Sequence, residues 1–505
     1  SNIASVDSTT VTALSNAGVG SGGGKFSATA DGAIAIGKPV ALQTNGTVKQ
    51  VVTTINELGT PTVAAQQNIH TNSNNSIGNT HYFPSENLYV YFNQINNDCY
   101  GWTFPFDHSA NSLGNFAANG ITIDSGSVSQ DLRSAFDPAT GKFMISWNYN
   151  NSVRYRTGIV GSGGGITLNS SGSNNHATIS SSDYCHDVAF SSTDNMFLLT
   201  YVSNSGGNVY GRGFTIDSSG NATAINANRG IASSMNLSMI SLAYDSDNNR
   251  FMVAGRDNTD NDKGKSLYFT YPTSGSVTLH ATTAWESIAN YNIQHVRLAY
   301  NPEYNRFAVI YSKTSSGDRI QLLTVSGTSI SAGGSPQQIA SGSNAARQIV
   351  YDPLTHKMIC FFINSGLTRF RIVDVSSTTA SVGGYNTVDN NTNQQECHLV
   401  FNSTDSVFAA LYWVGNYTKL STITTAQATS NNTTWIGFAE AAISNSASGD
   451  ILVVGSTAEN QSGLTIGSTY YVQSDGTLAT TSTGAVKVGR AIAANKLLIT
   501  EGNAT

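Results

Sequence analysis

The sequence predicts an all-β protein, a seven-bladed β-propeller inserted into a small β-domain formed by both chain ends. Three observations carry that prediction. An apolar run that ends on an aromatic residue, passes a turn and resumes as a β-branched and aromatic run returns seven times along the chain. Its markers are Phe83, Phe136, Phe190, Tyr244, Tyr300, Tyr351 and Phe401, at steps of 53, 54, 54, 56, 51 and 50 residues. Residues 36–48 and 466–478 carry one hairpin pattern at opposite ends of the chain. The last repeat runs out before a fourth strand, while an unassigned run, Pro61-Thr62-Val63-Ala64-Ala65-Gln66, precedes the first repeat.

Within a repeat, turn residues such as Asn301-Pro302, Asp137-Pro138 and Asp352-Pro353 follow the marker, and a second run begins at Phe143, Phe251 or Phe307. That is the pattern of a tight antiparallel hairpin. Third runs follow at 153–156, 209–214, 266–269, 320–323 and 369–372, with a weaker fourth before the next marker. Four short strands cannot bury both faces alone, but stacked around an axis they bury one another and leave only short edges. The run at 61–66 is expected to complete the seventh blade, latching the ring and removing an open edge.

Residues 1–25 are rich in Ser, Thr, Asn and Gly and read as a flexible tether or attachment arm. Residues 26–56 and 429–505 read as the two parts of the small β-domain, and 57–428 as the propeller. Asn45-Gly46 and Asp475-Gly476 are expected to form two-residue turns with positive φ at both central positions. Ring closure brings the entry and exit of a propeller together, as insertion into another domain requires.

Composition narrows the function. Of 505 residues 48 are Gly and 9 Pro, and 11% are charged, against about 25% in ordinary globular chains. A net charge of −6 without a Lys/Arg cluster argues against a nucleic-acid backbone as partner. No run approaches the ~20 apolar residues of a membrane helix, so no membrane insertion is expected. Residues 1–10 lack the basic start and apolar stretch of a signal peptide. Four cysteines are too few for a disulfide framework in a chain this long. Cys360 reads as a core residue, and a Cys99–Cys397 bridge between the first and last blades is conceivable.

The order of motifs near the C-terminus, Trp435-Ile436-Gly437-Phe438-Ala439, Ser462-Gly463-Leu464-Thr465-Ile466-Gly467, Lys487-Val488-Gly489-Arg490-Ala491 and Lys496-Leu497-Leu498-Ile499, resembles a recurring terminal module of bacteriophage tail-fibre and other virion appendage proteins. The propeller copies resemble the repeats of secreted and surface propeller proteins. The resemblance implies a structural component of the virion surface, extracellular and often multimeric, with a trimer plausible. Such a component contacts other virion proteins through residues 1–25 and the small β-domain, and it displays a domain for host contact. The resemblance supplies no catalytic residues, and no cofactor or enzyme activity is expected.

The search for chemistry finds no zinc-protease, nucleophile-elbow or Cys-x-x-Cys motif. Asp257-Asn258-Thr259-Asp260-Asn261-Asp262-Lys263-Gly264 superficially resembles a calcium loop, yet its spacing is off and it lacks the bidentate glutamate, so a solvated turn is favoured. His186, His295 and His398 stand before three markers, where they would share a channel mouth and hold a metal, or serve as separate polar residues. A glycan-cleaving enzyme would need two carboxylates ~5–9.5 Å apart; Asp131, Asp187, Asp257 and Glu396 are candidates by blade position, and nothing pairs them.

The end of the ring opposite the marker turns is rich in aromatics and amides. Tyr100, Trp102, Trp147, Tyr149, Tyr201, Arg256, Asp257, Trp413 and Tyr417 are the expected ligand-binding residues, with Lys313, Asn364 and Asn416 nearby. Rings that stack on sugar faces, beside amides and carboxylates that bond hydroxyls, make a carbohydrate-binding composition. The competing reading packs Trp147 and Trp413 between blades. The leading expectation is a virion fibre protein recognising a host-surface glycan or protein; the alternatives are a purely structural or decorating appendage protein and a glycan-cleaving enzyme.

Overall fold

Each repeat folds as an antiparallel sheet in which the first, second and third strands pair in sequence and a fourth, in five blades broken in two, covers the outer edge. The computed structural model describes residues 24–71, 75–95, 98–114, 120–126, 132–170, 174–178, 185–203, 207–233, 235–286, 293–313, 317–341, 346–391, 394–415 and 417–500. Two compact units emerge, Leu58–Thr425 and the two chain ends taken together. Among the described residues the first unit holds seven such sheets. Their first strands are Asn75–Phe83, Arg133–Phe136, His186–Ser191, Leu237–Asp245, Ile293–Asn301, Ala346–Tyr351 and Gln394–Asn402. Each lies beside the next, and the seventh lies beside the first, so the ring is closed.

Register explains why the marker is aromatic. In six blades it faces another aromatic seven residues on: Tyr82–Tyr89, Phe136–Phe143, Phe190–Phe197, Tyr244–Phe251, Tyr300–Phe307 and Phe401–Phe408, with Tyr351–Met358 in the sixth blade. Ring centroids 4.8–5.3 Å apart in five of these pairs contribute about 0.5–1.5 kcal/mol each beyond burial. The pairing corrects the sequence reading of the first copy, where Tyr82 and not Phe83 holds the marker position. Two adjacent aromatics look alike in sequence, and only the pairing separates them.

The fifth residue after each marker is left-handed: Asn87, Gly141, Asn195, Asn249, Asn305, His356 and Ser406 have φ between 50° and 75°. Asn and Gly tolerate this conformation best. The turn also ties blades together. The Tyr300 hydroxyl lies 2.8 Å from Asn305 Oδ1 in its own turn and 2.8 Å from Asp247 Oδ2 in the preceding blade, bridging the two. Tyr244 does the same with Asn249 and Thr193. Tyr82 bonds Asn87 at 2.8 Å and Thr404 of the seventh blade at 2.6 Å, which joins the last blade to the first.

The seventh blade takes its first three strands from Gln394–Asn402, Val407–Val414 and Tyr417–Ser430 and its fourth from Thr53–Val63 and Gln67–Thr71, before the first repeat. The expected latch is therefore present, with its break at residues 64–66, inside the run singled out in the sequence. The N–H of Ala64 donates to Thr422 O at 2.9 Å. An insert in the first blade braces it, with Asn111 Nδ2 donating to Ala65 O and His108 Nδ1 2.6 Å from Thr422 Oγ1.

The second unit contains two five-stranded sheets of one design. The first orders its strands Lys25–Thr29, Ser448–Leu452, Trp435–Ala439, Pro39–Leu42 and Val48–Gln50; the second orders Thr457–Ala458, Lys496–Ile499, Val486–Ala493, Thr469–Val472 and Leu478–Ala479. Taken in chain order the two are the same path. The second is built from one continuous segment, whereas the first is interrupted after its third strand by the whole propeller. Gly437 and Gly489 occupy matching strand positions, and a Cβ on either would lie 2.2 Å from Leu452 O or 2.0 Å from Leu498 O, so no other residue fits.

Three details of this unit differ from the sequence reading. Gly46 and Gly476 have φ of 82° and 80°, but Asn45 and Asp475 are not left-handed. Gln43 N–H bonds Thr47 O, and Gln473 N–H bonds Thr477 O, so each hairpin closes over a three-residue loop. In each, Asn45 or Asp475 accepts from the following Thr N–H and hydroxyl, and those bonds favour a right-handed side-chain cap over a second left-handed residue. Lys25, read as the end of a tether, opens a strand and pairs with Glu440 at 2.9 Å and Asp450 at 3.1 Å. The rest of that arm, residues 1–23, lies outside the described residues.

All four cysteines are buried, and none is in a disulfide. Cys99 belongs to the core between the first and second blades and Cys397 to that between the sixth and seventh, so they face different seams and form no bridge.

Ala64→Pro removes the latch N–H, and a loss of about 1–3 kcal/mol in denaturant unfolding is expected; an unchanged midpoint would mean that the ring does not depend on its latch. Burial pushes the Cys99 and Cys360 thiols well above their usual range. A colourimetric thiol reagent is expected to find no reactive cysteine in the native chain and four after denaturation.

Candidate functional site

The second strand of a blade lies between its neighbours on both faces, which decides the fate of most of the expected ligand-binding residues. Trp147 and Tyr201 sit at equivalent positions near the top of that strand, facing Arg154 and Tyr210 in register. Trp147 is 0% exposed and Tyr201 3%. Trp102 and Trp413 are 3% and 8% exposed, in the core that joins the first and seventh blades. These four rings are therefore packing residues and present no face to a sugar. Sequence position placed them at strand ends, but the neighbouring blade extends past those ends and covers them.

Beyond the strand ends the picture changes. Tyr149 is half-buried, with the Arg154 guanidinium 4.0 Å from its ring centroid, and the turn that follows it is formed by left-handed Asn150 and Asn151. Tyr100 is half-buried and donates to Asp98 Oδ2 at 3.2 Å; burial, then that carboxylate, raise its pKa. Tyr417 is 42% exposed.

Arg256 and Asp257 belong to a charged network at the hairpin of the fourth blade. Lys265 Nζ lies 2.8 Å from Asp257 and 2.9 Å from Asp260, Lys263 lies 3.0 Å from Asp260, and Arg256 lies 3.6 Å from Asp262. Asp257 also accepts from the N–H and hydroxyl of Thr259. The oxygens that resembled calcium ligands are thus engaged with lysines. Burial alone would raise the Asp257 carboxyl, but Lys265 and Thr259 hold it below the ordinary 3.8. Burial would lower Lys265, yet Asp257 and Asp260 hold it above 10.5.

The other constellations disperse. His186 is fully buried, and His295 is left-handed within a bulge of its strand. Among the described residues no three His, Cys, Asp or Glu side chains group as a metal site. Asp187 accepts the N–H of Leu242 in the next blade at 2.8 Å, a bond between blades. Asp131 and the Glu396 side chain lie outside the described residues, as does Asn416.

What the structure does assemble is a groove of about 550 Å³ between the sixth and seventh blades, lined by Val63–Gln66 of the latch and by Thr387, Val388, Asp389, Asn390 and Asn391. Lys419, in the third strand of the seventh blade, lies at its edge. Its Nζ donates to Gln66 Oε1 at 2.8 Å and lies 3.4 Å from Asp389 Oδ2. Asn391 donates to the other Asp389 oxygen from its N–H at 2.9 Å and from Nδ2 at 2.6 Å. Thr418 and Leu420 are fully buried toward the first blade, so Tyr417 and Lys419, alternating with them, share the side that faces the sixth blade. An ammonium, a carboxylate and three amides thereby converge at the groove, with the exposed phenol ring of Tyr417 two residues from Lys419 along the same strand. Tyr417 was singled out in the sequence; Gln66, Asp389 and Lys419 were not, because they come from opposite ends of the repeat region.

No protein-family model matches the sequence, and no curated protein matches it. Among solved structures, it is similar to a protein from Lactobacillus plantarum (10% identity, 63% of this chain and 86% of that one, TM-score 0.49). It is similar as well to the periplasmic gluconolactonase PpgL of Pseudomonas aeruginosa (10%, 62% and 86%, 0.46) and to the Swd1 β-propeller domain of Myceliophteria thermophila (7%, 71% and 99%, 0.44). At such identities the likeness concerns fold alone. Among the described residues no helix is long and apolar enough to cross a membrane.

The charged network predicts a pH window. Depressed carboxyls stabilise fully above their unfolded value of 3.8 and lose that contribution as pH falls through the folded value; the raised lysine stabilises fully below 10.5 and loses its contribution as pH rises through the folded value. Lys265→Met should therefore lower stability by about 1–3 kcal/mol near neutral pH, and the deficit should shrink in acid. A deficit independent of pH would refute this electrostatic origin. Calcium should leave the melting temperature of the wild type unchanged.

Proposed function

We propose that the chain is a non-catalytic virion fibre or appendage protein whose propeller recognises a host-surface glycan, with the groove between the sixth and seventh blades as the saccharide site. One observation carries the reading: Gln66, Asp389 and Asn391, with Lys419 bonded to the first two, set donors and acceptors along a groove large enough for a sugar ring, and Tyr417, two residues before Lys419 in the same strand, is 42% exposed. Saccharide recognition needs both, an aromatic face for the C–H side of a pyranose and paired polar groups for its hydroxyls. Display on a virion is supported by the motif order in residues 435–505. On this reading the small β-domain and residues 1–25 make contacts within the particle, and the assembly is a homo-oligomer, a trimer being the arrangement typical of fibres.

Glycan-array binding by the full chain, without release of cleaved saccharide, is the expected result. Tyr417→Ala and Lys419→Ala should each weaken the best-bound glycan about tenfold at unchanged melting temperature. Trp147→Ala should instead cost about 3–5 kcal/mol of stability. Turnover of a bound saccharide, or affinity indifferent to Tyr417 and Lys419, would overturn the proposal.

A further inference from the structure

At one level of the propeller, adjacent blades are joined by charge. Asp124, Ala232, Glu286, Ala340 and Asp389 occupy the same place in the fourth strands of the first, third, fourth, fifth and sixth blades, paired with Cys99, Val209, Gly264, Asp318 and Thr368 of the third strand. Each of the three acids meets a cation of the following blade: Asp124 with Arg154 at 3.9 Å, Glu286 with Lys313 at 3.5 Å and Asp389 with Lys419 at 3.4 Å. After Ala232 comes Lys265, which takes its carboxylates from its own hairpin.

The seam between the fifth and sixth blades breaks the pattern. There Arg369 faces Phe362 as Arg154 faces Trp147 and Lys419 faces Tyr412, but the place of the acid is taken by Ala340. Arg369 donates to Asn364 Oδ1 at 2.8 Å, and Arg371, two residues on, to Gln338 O at 3.3 Å. Among the described residues no carboxylate lies within 4.0 Å of either guanidinium, and the Nε of each makes no hydrogen bond. Both stack on one ring: Tyr385, itself 42% exposed, has Arg371 at 3.7 Å and Arg369 at 5.3 Å from its centroid. Two guanidiniums beside a partly exposed ring, with the Asp318 carboxylate of the same seam beyond 4.0 Å, offer donors in the fork geometry that suits a planar or tetrahedral oxyanion.

We propose that this seam binds the anionic substituent of an acidic saccharide, a carboxylate, sulfate or phosphate, filling the place that an aspartate or glutamate fills between other blades. The inference rests on the glycan-recognition reading and names the class of glycan. A structure in which the arginines only pack on Tyr385 would show no preference for charge.

Titration calorimetry on the full chain tests it with inorganic sulfate and with disaccharides differing at one position, where a uronate carboxylate, a sulfate ester, a phosphate ester or a hydroxyl stands. Tighter binding of an anionic form than of the neutral one is expected, and the form preferred identifies the source of the anion. Ala340→Asp restores the missing carboxylate and should weaken the anionic ligand about tenfold or more while leaving the neutral one unchanged. Arg369→Gln combined with Arg371→Gln should do the same, and thermal melts confirm that each variant is folded. Equal affinity for charged and neutral forms, or anion binding that survives in both variants, would overturn the proposal. Loss of anion preference with glycan binding retained at Tyr417 would leave the groove standing; sulfate binding without any saccharide binding would do the reverse.

Discussion

Among the described residues every large apolar cluster of the propeller lies between blades and none within one. Phe83, Phe92, Phe143 and Trp147 join the first blade to the second, Ile310, Leu322, Cys360 and Phe362 the fifth to the sixth, and Leu399, Phe361, Phe408 and Tyr412 the sixth to the seventh. A single sheet has two apolar faces and can bury neither by itself, so each blade is stable only while both neighbours are present. Closure is therefore a condition of folding. The chain meets it at the costliest point, where the last blade joins the first, with a borrowed fourth strand, the Tyr82–Thr404 bond and the bridge from His108 to Thr422.

The second unit shows where the propeller was accommodated. Its two sheets follow one strand order, and what is a six-residue link between Ala479 and Val486 in one copy is the entire propeller between Gln50 and Trp435 in the other. A connection between two strands of a sheet at the surface tolerates great length because the entropy of closing a loop grows only slowly with its size. A closed ring, whose first and last segments are paired, lowers even that cost. The identical cap geometry around Asn45-Gly46 and Asp475-Gly476 shows how little the interrupted copy was disturbed.

The same packing rule sorts candidate ligand residues from structural ones. Side chains below the hairpins are enclosed by the adjacent blade, whatever their chemistry; those at or beyond the seams, such as Tyr417, Tyr149 and Tyr385, keep a free edge. Seams are also where charges meet, since a fourth strand of one blade faces the third strand of the next. At three seams an acid of one blade meets a cation of the next, whereas beside Ala340 two arginines lie against Tyr385 instead.

The period of about fifty residues, the aromatic markers, the Asn and Gly of the turns and the matched terminal hairpins are local properties, so the all-β class, the blade count, the latch and the joining of the two ends were legible in the amino-acid sequence itself. Turn type was less so, because Asn45 satisfies its backbone through a side-chain bond that no dipeptide rule counts. Exposure was not legible at all. Whether Trp147 or Tyr417 meets water depends on how far a blade encoded fifty residues away extends over it, and whether Asp389 finds Lys419 depends on blades stacking in register. Those are distances across a seam, and only the closed ring sets them.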